Sequence, residues 1–379
     1  MNCKELSKKA IEILEGMIPI PAPSFHEKER STYLWERISA VIKEGEQNKD
    51  CSTAQAFKAI TARKVKNNIL LYSPKKGREL LLMCTHVDTV QPAENYTVNP
   101  YSPTWRGGRL YGLGTNDDGA SVACMLVTFL SLVAEEERCG LLLVLSTQEE
   151  RGGEDGLYSA MEYLKKKNIK PDFAIVGEPT GMKAAVAERG LLVIDATASG
   201  TSSHAAHPNK DNAIYNALKD IEKLRRFTFR KKSRFFGPVL LSVTRIEAGK
   251  NHNTIPDKCS FVIDIRPNER YTPEEITARL SEKTGSTLKP RNLNHKCRVT
   301  PEGHPLVTAV KSLGIETFIS STSSDWTWLD IPAIKIGPGD SSRSHKADEY
   351  ITLKEIEEGI KGYKAIIRKI SATCNKPKR

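Results

Sequence analysis

The apolar positions in the first half of the chain form short, nearly continuous runs that alternate with helical patterns. The runs at 79–85, 140–146 and 172–177 have the length and composition of buried strands. Helical spacing separates them at 120–137 and 156–167. Strands that are apolar throughout and alternate with helices are typical of a mostly parallel sheet covered on both faces. The pattern therefore predicts an α/β fold in which helices flank such a sheet.

The pattern changes near residue 184 and returns near residue 296. The elements predicted between these points are a strand at 191–198, a helix at 212–226, strands at 239–248 and 258–266, and a helix at 273–283. This order is typical of an α+β sandwich. A strand at 331–336 and a helix at 353–370 then restore the first pattern. We therefore predict one domain of residues 1–183 and 297–379, with a second domain of residues 184–296 inserted into it.

Composition narrows the class of protein. The chain has 379 residues, of which 39% are hydrophobic, and these values suit a globular protein with a sizeable core. Intrinsic disorder and a collagen-like fibre are excluded. The longest run without a charged residue, 119–134, is shorter than the ~18 apolar residues that a membrane span needs. We interpret it as a core helix and expect no membrane partner.

The cysteines and the N-terminal segment favour a cytoplasmic protein. Residues 1–17 form an amphipathic pattern, with Leu6, Ala10, Ile13, Leu14 and Met17 on one face, rather than an apolar signal core. Eight cysteines without a C-x-x-C pair in a chain of this length do not indicate a disulfide framework. We expect a reducing compartment and cytoplasmic localisation.

The chain is basic, with 57 lysines and arginines against 46 acidic residues and a net charge of +11. The densest cluster, residues 225–234, also holds two phenylalanines, a combination that nucleic-acid-binding proteins use. No recognised nucleic-acid motif surrounds the cluster, so a solvated basic face after an amphipathic helix is the favoured interpretation. We predict no nucleic-acid partner.

Histidine and acidic residues occur where the predicted strands end. His86 and Asp88 follow the first strand, Glu149 and Glu150 the second, and Glu178 the third. Ligands of open α/β sheets bind at the carboxyl ends of strands. A histidine can bind a metal through one ring nitrogen while a nearby carboxylate accepts the other N–H. Adjacent glutamates project differently, so that one can bind a metal while the other acts as a base.

Two further segments add the same kinds of side chain. A glycine-rich turn at 111–119 carries Asp117 into the core helix, and the segment 337–350 carries His345. Each residue also has a structural interpretation, as a helix cap, a solvated carboxylate or a core histidine. Two histidines with several carboxylates are nevertheless the nitrogen and oxygen donors that suit Zn²⁺ or a similar ion.

The order of these motifs resembles the M20 family of metallopeptidases and deacylases. The motifs that carry the resemblance, between residues 86 and 350, are H-V-D-T-V, Y-G-x-G-x-x-D, E-E, G-E-P-T, G-x-x-x-H-x-x-x-P, N-x-I-P-D, D-I-R, G-P-G and a late S-H. Within the family, the chain is most similar to the group of acetylornithine deacetylases and succinyl-diaminopimelate desuccinylases. The resemblance implies a catalytic domain with two metal ions and an inserted lid domain that dimerises.

The resemblance also implies a role for individual residues. It implies that Asp117 bridges two zinc ions, for which Co²⁺ can substitute, while His86 and Glu178 hold one ion and Glu150 and His345 the other. Glu149 is then the general base, and Asp88 supports His86. The resemblance also implies that His204 of the partner's lid donates a hydrogen bond to the oxyanion. The residues expected to bind substrate are Arg266, Asn253, Gly337, Gly339 and Arg343.

The function implied is hydrolysis of N²-acetyl-L-ornithine to L-ornithine and acetate, a step of arginine biosynthesis, by a cytoplasmic homodimer. A succinyl-diaminopimelate desuccinylase and a deacylase of N-succinylornithine are the alternatives. A dipeptidase or aminopeptidase and a catalytically silent binding protein also remain open. A substrate ammonium group needs an acidic or carbonyl-lined pocket, for which Asp118, Asp325 and Asp340 are unranked candidates.

Two departures from the family pattern stand out. Many relatives have a lysine and a glycine after the bridging segment, where this chain has Asp118, Gly119 and Ala120. Apart from its candidacy for the substrate ammonium group, the sequence assigns no role to the negative charge that Asp118 adds next to Asp117. The stretch 43–63 is longer and more polar than expected, and we interpret it as a peripheral insertion.

Overall fold

The computed structural model describes residues 2–135 and 139–373. Its helices are α1 (Cys3–Met17), α2 (Lys28–Glu46), α3 (Cys51–Lys58), α4 (Ala120–Ala134), α5 (Leu157–Lys166), α6 (Ala213–Arg226), α7 (Pro273–Ser281), α8 (Pro305–Ser312) and α9 (Leu353–Thr373).

The strands, numbered along the chain, are β1 (Thr61–Val65), β2 (Asn68–Ser73), β3 (Leu80–His86), β4 (Thr104–Arg106), β5 (Arg109–Tyr111), β6 (Gly140–Ser146), β7 (Phe173–Val176), β8 (Ala184–Glu188), β9 (Leu192–Ser199), β10 (Ser203–His204), β11 (Leu240–Ala248), β12 (Thr254–Ile255), β13 (Lys258–Arg266), β14 (Thr287–Pro290), β15 (Arg298–Val299), β16 (Thr317–Ser320), β17 (Ala333–Lys335) and β18 (Tyr350–Thr352). The predicted helix at 120–137 ends at Ala134, and residues 136–138 lie outside the described residues.

The described chain divides into two compact units. Among the described residues, the first consists of 2–135, 139–186, 300–318 and 324–373, and the second of 187–299 and 319–323. The short segment 319–323 is therefore grouped with the second unit, although no pattern in the sequence indicates this.

The first unit is built on a sheet in which β2, β6, β3, β7, β17 and β8 are neighbours in that order. The central strands β6, β3, β7 and β17 run parallel, whereas β2 and β8 pair with this block in the antiparallel direction. All seven residues of β3 and of β6 are buried, which explains their continuous apolar runs. The predicted α/β fold with a mostly parallel sheet is confirmed.

Helix α4 lies in the core of the first unit. Every residue from Ala120 to Val133 is buried, and α1 and α9 pack against this helix. By length and composition alone, the stretch Thr115–Ala134 is the one candidate membrane span among the described residues. Because 89% of its most apolar window is buried inside the protein, it has the environment of a core helix.

The second unit is a two-layer α+β sandwich, as predicted. Its antiparallel sheet has the strand order β11-β13-β9-β14. Side chains of β9 alternate between buried and partly exposed, and the buried set, with Ile194 and Ala196, packs with Ala217 of α6 and Ile276 of α7. One sheet face therefore carries both helices.

The basic cluster at 225–234 lies in the second unit. Arg225 and Arg226 both pair with Glu222 on the last turns of α6. The rings of Phe227 and Phe229 stack edge to face at 4.9 Å; Phe229 is buried in the hydrophobic core of this unit, and Phe227 is partly buried against that core. These two rings are therefore used in packing, which removes the argument for base stacking by this cluster.

The stretch 43–63 forms regular structure on the first unit. It completes α2, forms α3, whose first turn is capped by the Asp50 carboxylate, and enters β1. Phe57 of α3 packs so closely on Gly45 that a Cβ at Gly45 would lie 2.1 Å from its ring. This contact holds α3 against α2.

Candidate active site

His86 is the last residue of β3, and its side chain is only 2% exposed. Its Nδ1 lies 3.0 Å from the backbone oxygen of Asp88. A carbonyl oxygen can only accept, so Nδ1 carries a proton, and Nε2 is the ring nitrogen that is available to a metal ion. Nε2 lies 3.2 Å from Oδ1 of Asp117. The ring is therefore fixed with its metal-binding nitrogen toward the Asp117 carboxylate.

Asp117 lies in a tight turn, Thr115–Gly119, that leads directly into α4. The carboxylate of Glu349 accepts the backbone N–H groups of Gly114, Asn116 and Asp117, each at 2.8 Å. Glu349 is buried, and burial raises its pKa to about 8. The sequence analysis does not identify this residue, although it lies in the segment 337–350, four positions after His345.

Glu149 and Glu150 begin a single helical turn, Glu149–Arg151, which Thr147 and Gln148 connect to the end of β6. Oε2 of Glu149 lies 4.0 Å from Nε2 of His86, and Oε1 of Glu150 lies 3.0 Å from Nε2 of His345. The two neighbouring glutamates thus point to different histidines. The Asp88 carboxylate accepts the N–H of Glu149 at 3.1 Å and that of Glu150 at 3.2 Å, so it also fixes this turn.

The described side chains form two overlapping groups that could hold metal ions. His86, Asp117 and Glu150 form one group, and His86, Glu149 and Glu178 form the other, with donor atoms in each group within 4.8 Å of one another. Nε2 of His345 lies 3.8 Å from Oδ2 of Asp117, next to the first group. The geometry thus brings together the five predicted ligands and Glu149. It also places Glu149 with Glu178 and His86, whereas the family resemblance assigns Glu149 to proton transfer.

The electrostatics of the cluster match a bound cation. Burial raises the pKa of Glu149 well above its usual range, and Glu178 and Glu150 raise it further. Burial likewise raises the pKa of Glu178, although the nearby Lys335 opposes this shift. Carboxylates that share a site and are removed from water are stabilised in their ionised form by a positive charge. Imidazole and carboxylate donors suit Zn²⁺ and related divalent ions, so the residues present fit the predicted metal.

Asp118 is turned away from this cluster into the core. Thr85 donates its hydroxyl hydrogen to Oδ2 of Asp118, and burial raises the pKa of Asp118 to about 7. A Cβ on Gly177 would lie 3.2 Å from this carboxylate, which therefore packs beneath the residue that precedes Glu178. The structure thus gives Asp118 a place between the ends of β3 and β7.

The other acidic residues proposed for a substrate ammonium group have partners within the first unit. Asp325 is buried and accepts a hydrogen bond from the Ser146 hydroxyl. Asp340 accepts the backbone N–H of Ser342 at 2.8 Å and caps a short helical turn. Their use by a substrate remains a prediction.

Of the predicted substrate residues in the first unit, Arg343 is engaged by a carboxylate. Its Nη2 lies 2.8 Å from Oε1 of Glu355, and its guanidinium group stacks on the Tyr350 ring at 4.3 Å. Gly337 and Gly339 lie in the loop after β17, where the Gly339 carbonyl accepts the N–H of Gly181 at 2.6 Å. Gly339 has a φ of 90°, which favours glycine.

The remaining predicted residues lie in the second unit. His204 is exposed on β10, and its Nδ1 accepts the N–H of Ala206 at 3.1 Å. The Asn253 carbonyl accepts the N–H of Ala205 at 2.9 Å, so Asn253 lies beside His204. Arg266 ends β13 and pairs with Asp264, with 2.8 Å between Nε and Oδ1. The catalytic and binding roles of these residues remain predictions.

Comparison with known proteins identifies the family to which this chain belongs. Residues 82–369 match the model of peptidase family M20/M25/M40. The chain belongs to this family. The family predicted from the motifs is confirmed, and the chain is a hydrolase of a metal-dependent family.

Three similar proteins illustrate the range of the family. A succinyl-diaminopimelate desuccinylase from Psychromonas ingrahamii is 27% identical over 326 residues, which cover 78% of this chain and 85% of the relative. A tripeptidase from Staphylococcus aureus has 18% identity and a TM-score of 0.72, with coverage of 97% and 99%. A Bacillus subtilis protein described as a dinuclear metal-binding peptidase of the M20 family has 13% identity and a TM-score of 0.71, with coverage of 98% and 99%. The two structures show that the fold is shared.

Proposed function

We propose that this chain hydrolyses the amide bond of an N-acyl amino acid with the help of two divalent metal ions, zinc in the first instance. The observation that carries the proposal is the position of the Glu149 carboxylate, which lies 4.0 Å from Nε2 of His86 at the centre of the cluster of ligands. His86, Asp117 and Glu178 would hold one ion, and Asp117, Glu150 and His345 the other. This division follows the family resemblance.

When bound, the metal ions would supply Lewis-acid polarisation of the amide carbonyl and acidify a water molecule. Glu149 acts as the general base, because burial and neighbouring carboxylates raise the pKa of its side chain and make it a stronger proton acceptor. It takes a proton from the attacking water and delivers that proton to the departing amine. Asp88 holds the Glu149 backbone and the His86 ring in place through this sequence.

The substrate we propose first is N²-acetyl-L-ornithine, which the motifs of the sequence indicate. Its acetyl group carries no charge, which is consistent with the commitment of Arg343 to Glu355. Succinyl-diaminopimelate is the second candidate, because several curated relatives are named desuccinylases of that compound. N-Succinylornithine combines features of both. All three compounds are N-acyl derivatives of an amino acid with a second amine.

We further propose that the chain is a homodimer that pairs through its second unit. Strand β11 lies at the edge of the sheet, where no strand of the described residues pairs with its outer side. It exposes Leu240 and Ile246, and α6 exposes Tyr215 and Leu218. An apolar helix face together with an open sheet edge suits a two-fold interface with a second copy of the chain. His204 of one copy would then donate to the oxyanion in the site of its partner.

The cysteines support a cytoplasmic location for this enzyme. Eight cysteines are present in the sequence, and none of them forms a C-x-x-C pair. A chain of this length whose cysteines do not indicate a disulfide framework is typical of a reducing compartment.

Metal analysis followed by a substrate panel tests the proposed function. Purified protein is expected to contain about two divalent ions per subunit and to release acetate from N²-acetyl-L-ornithine. The preferred acyl group is either acetyl or succinyl. We expect kcat/KM for substrates with the preferred group to exceed kcat/KM for substrates with the other acyl group by roughly tenfold to a thousandfold. A preference for succinyl-diaminopimelate would transfer the assignment to the second candidate. Metal-loaded protein that cleaves none of the three compounds would refute the proposal.

A further inference from the structure

Four consecutive backbone N–H groups around the proposed base are held by buried side chains. Asn68 accepts the N–H of Thr147 at 3.0 Å, and Glu27 accepts the N–H of Gln148 at 3.2 Å. Asp88 accepts the next two N–H groups, as described above. The backbone of residues 147–150, directly after β6, is therefore fixed at each residue by a side chain from another part of the sequence.

The hydrogen bond at Gln148 is located where the chain changes direction. Gln148 has a φ of 62°, in the left-handed region that a residue with a side chain rarely adopts. It is also buried, so its N–H has little access to water. A buried N–H without an acceptor costs free energy comparable to a lost hydrogen bond. The Glu27 carboxylate satisfies this N–H and stabilises the unusual conformation that directs Glu149 toward His86.

Glu27 is fixed in turn by its own surroundings. It precedes α2, its side chain is fully buried, and its Oε1 also accepts the N–H of Phe25 at 2.6 Å. Oε2 has no hydrogen-bond partner in the described part of the chain. One turn further along α2, Arg30 donates from Nη1 to the Val87 carbonyl at 3.0 Å, next to His86. The start of α2 therefore contacts both the segment with the proposed base and the segment with the first ligand.

We propose that Glu27 is a positioning residue for the reaction, which holds the Gln148 N–H and thereby fixes the Glu149 carboxylate in its reactive geometry. Glu27 belongs to neither group of candidate metal ligands, and it acts through the backbone of Gln148. The inference rests on the proposed function, in which Glu149 is the general base. It adds the reason why a buried acid at residue 27 is part of the catalytic site.

The test compares three substitutions of Glu27 with a control. Glu27→Gln keeps an oxygen acceptor at the same reach, Glu27→Asp withdraws it by one methylene, and Glu27→Ala removes it. Glu29→Gln is the control, because Glu29 is exposed on the same turn of α2. We expect kcat to fall about 10- to 100-fold for the Asp and Ala variants, as for other residues that support a catalytic group. KM and metal content should stay within about threefold of wild type, and Glu27→Gln and Glu29→Gln should retain most of kcat.

Amide hydrogen exchange gives a second readout that needs no turnover. The peptide that covers residues 147–150 should exchange at least about tenfold faster in Glu27→Asp than in wild type, and at the wild-type rate in Glu29→Gln. Unchanged exchange with unchanged kcat would overturn the inference. Equal loss of kcat in Glu27→Gln and Glu27→Ala would also overturn it, because the charge rather than the hydrogen bond would then matter. A wild-type enzyme without activity toward the substrate panel would refute the proposed function, and exchange would still decide the role of Glu27.

Discussion

Nε2 of His345 lies 3.0 Å from Oε1 of Glu150, although 195 positions separate the two residues in the sequence. Glu150 is held by the end of β6, whereas His345 lies in the loop after β17 with a φ of 61°. The contact brings together two of the predicted ligands of the second metal ion, which lie in separate motifs of the sequence. The site therefore depends on how the loop 337–350 folds onto the carboxyl ends of the central strands.

The adjacent glutamates should differ when each loses its charge. Glu149→Gln is expected to reduce kcat by at least about 10²- to 10⁴-fold while both metal ions stay bound, because it removes only the proton acceptor. Glu150→Gln should in addition weaken binding of one ion, because Glu150 contacts His345 in the proposed second site. Turnover and metal content of both variants are measured together. Equal metal loss in the two variants would contradict this division of roles.

Removal of metal should abolish activity and lower stability. Burial raises the pKa of both Glu149 and Glu178, and neighbouring carboxylates raise both pKa values further, so the ion-free cluster is poorly compensated. A ligand that binds only the folded state stabilises it by about 2.7 kcal/mol at a concentration one hundred times its Kd. Dialysis against a chelator followed by separate addition of Zn²⁺, Co²⁺ and Mn²⁺, with Tm and turnover recorded, identifies the ions that restore both. Full activity in chelator-treated protein with no residual metal would contradict the prediction.

A methyl group at Gly337 should displace the backbone of Glu178. A Cβ there would lie 2.6 Å from the Glu178 carbonyl, 2.6 Å from Oγ of Ser121 and 2.8 Å from Oη of Tyr363, so the backbone has to shift. Gly337→Ala is expected to destabilise the fold by about 1–3 kcal/mol and to weaken metal binding at least about tenfold. Gly303→Ala is the control, because nothing lies within 4 Å of that position. Calorimetric metal titration and denaturant unfolding measure the two effects.

One ion-pair network predicts a pH dependence of stability. Glu135, at the end of α4, accepts hydrogen bonds from Lys364 and Arg368 of α9. Partial burial raises the pKa of Glu135, but these bonds dominate and lower it to about 2, from an ordinary value of 4.5. Because the folded pKa is depressed, the stabilisation is present above pH 4.5 and is lost as the pH falls toward 2.

Glu135→Gln should therefore lower the free energy of unfolding by about 1 kcal/mol at pH 7, and by progressively less below pH 4.5. The group is partly exposed, which keeps the effect small. Urea unfolding of wild type and variant between pH 7 and pH 3.5 measures it, with the exposed Glu94→Gln as the control. A difference in stability that does not change with pH would rule out the ion pairs as its source.

Much of this arrangement could be predicted because it depends on local patterns. β6 and β13 have the predicted bounds, since an apolar or alternating run between polar residues determines where such a strand begins and ends. The fold class follows from the order of these elements. The ligands could be singled out because strand ends bring them to one edge of the sheet.

The supporting residues could not be found in the same way. Glu27 and Glu349 act on backbone N–H groups of Gln148 and Asp117, which lie 121 and 232 positions away. Neither contact leaves a periodic or spaced signal in the sequence. Asp118 illustrates the same limit, because its environment at Thr85 depends on how β3 packs with the turn at 115–119.

The proposed role of His204 leads to a complementation test. If His204 of one copy completes the site of its partner, a mixed dimer of His204→Ala and Glu149→Ala contains one site with both residues intact. Statistical exchange of subunits produces mixed dimers as about half of the total, and one of their two sites is complete. Activity should therefore recover to up to about a quarter of the wild-type value. The incomplete sites add little to this value, because loss of an oxyanion donor alone typically costs ~10²–10³ in rate.

Exchange of subunits is followed with differently tagged copies. Leu218→Arg on the exposed face of α6 serves as a variant that should prevent both dimerisation and recovery of activity. No recovery despite verified exchange would place His204 in the site of its own chain or outside catalysis.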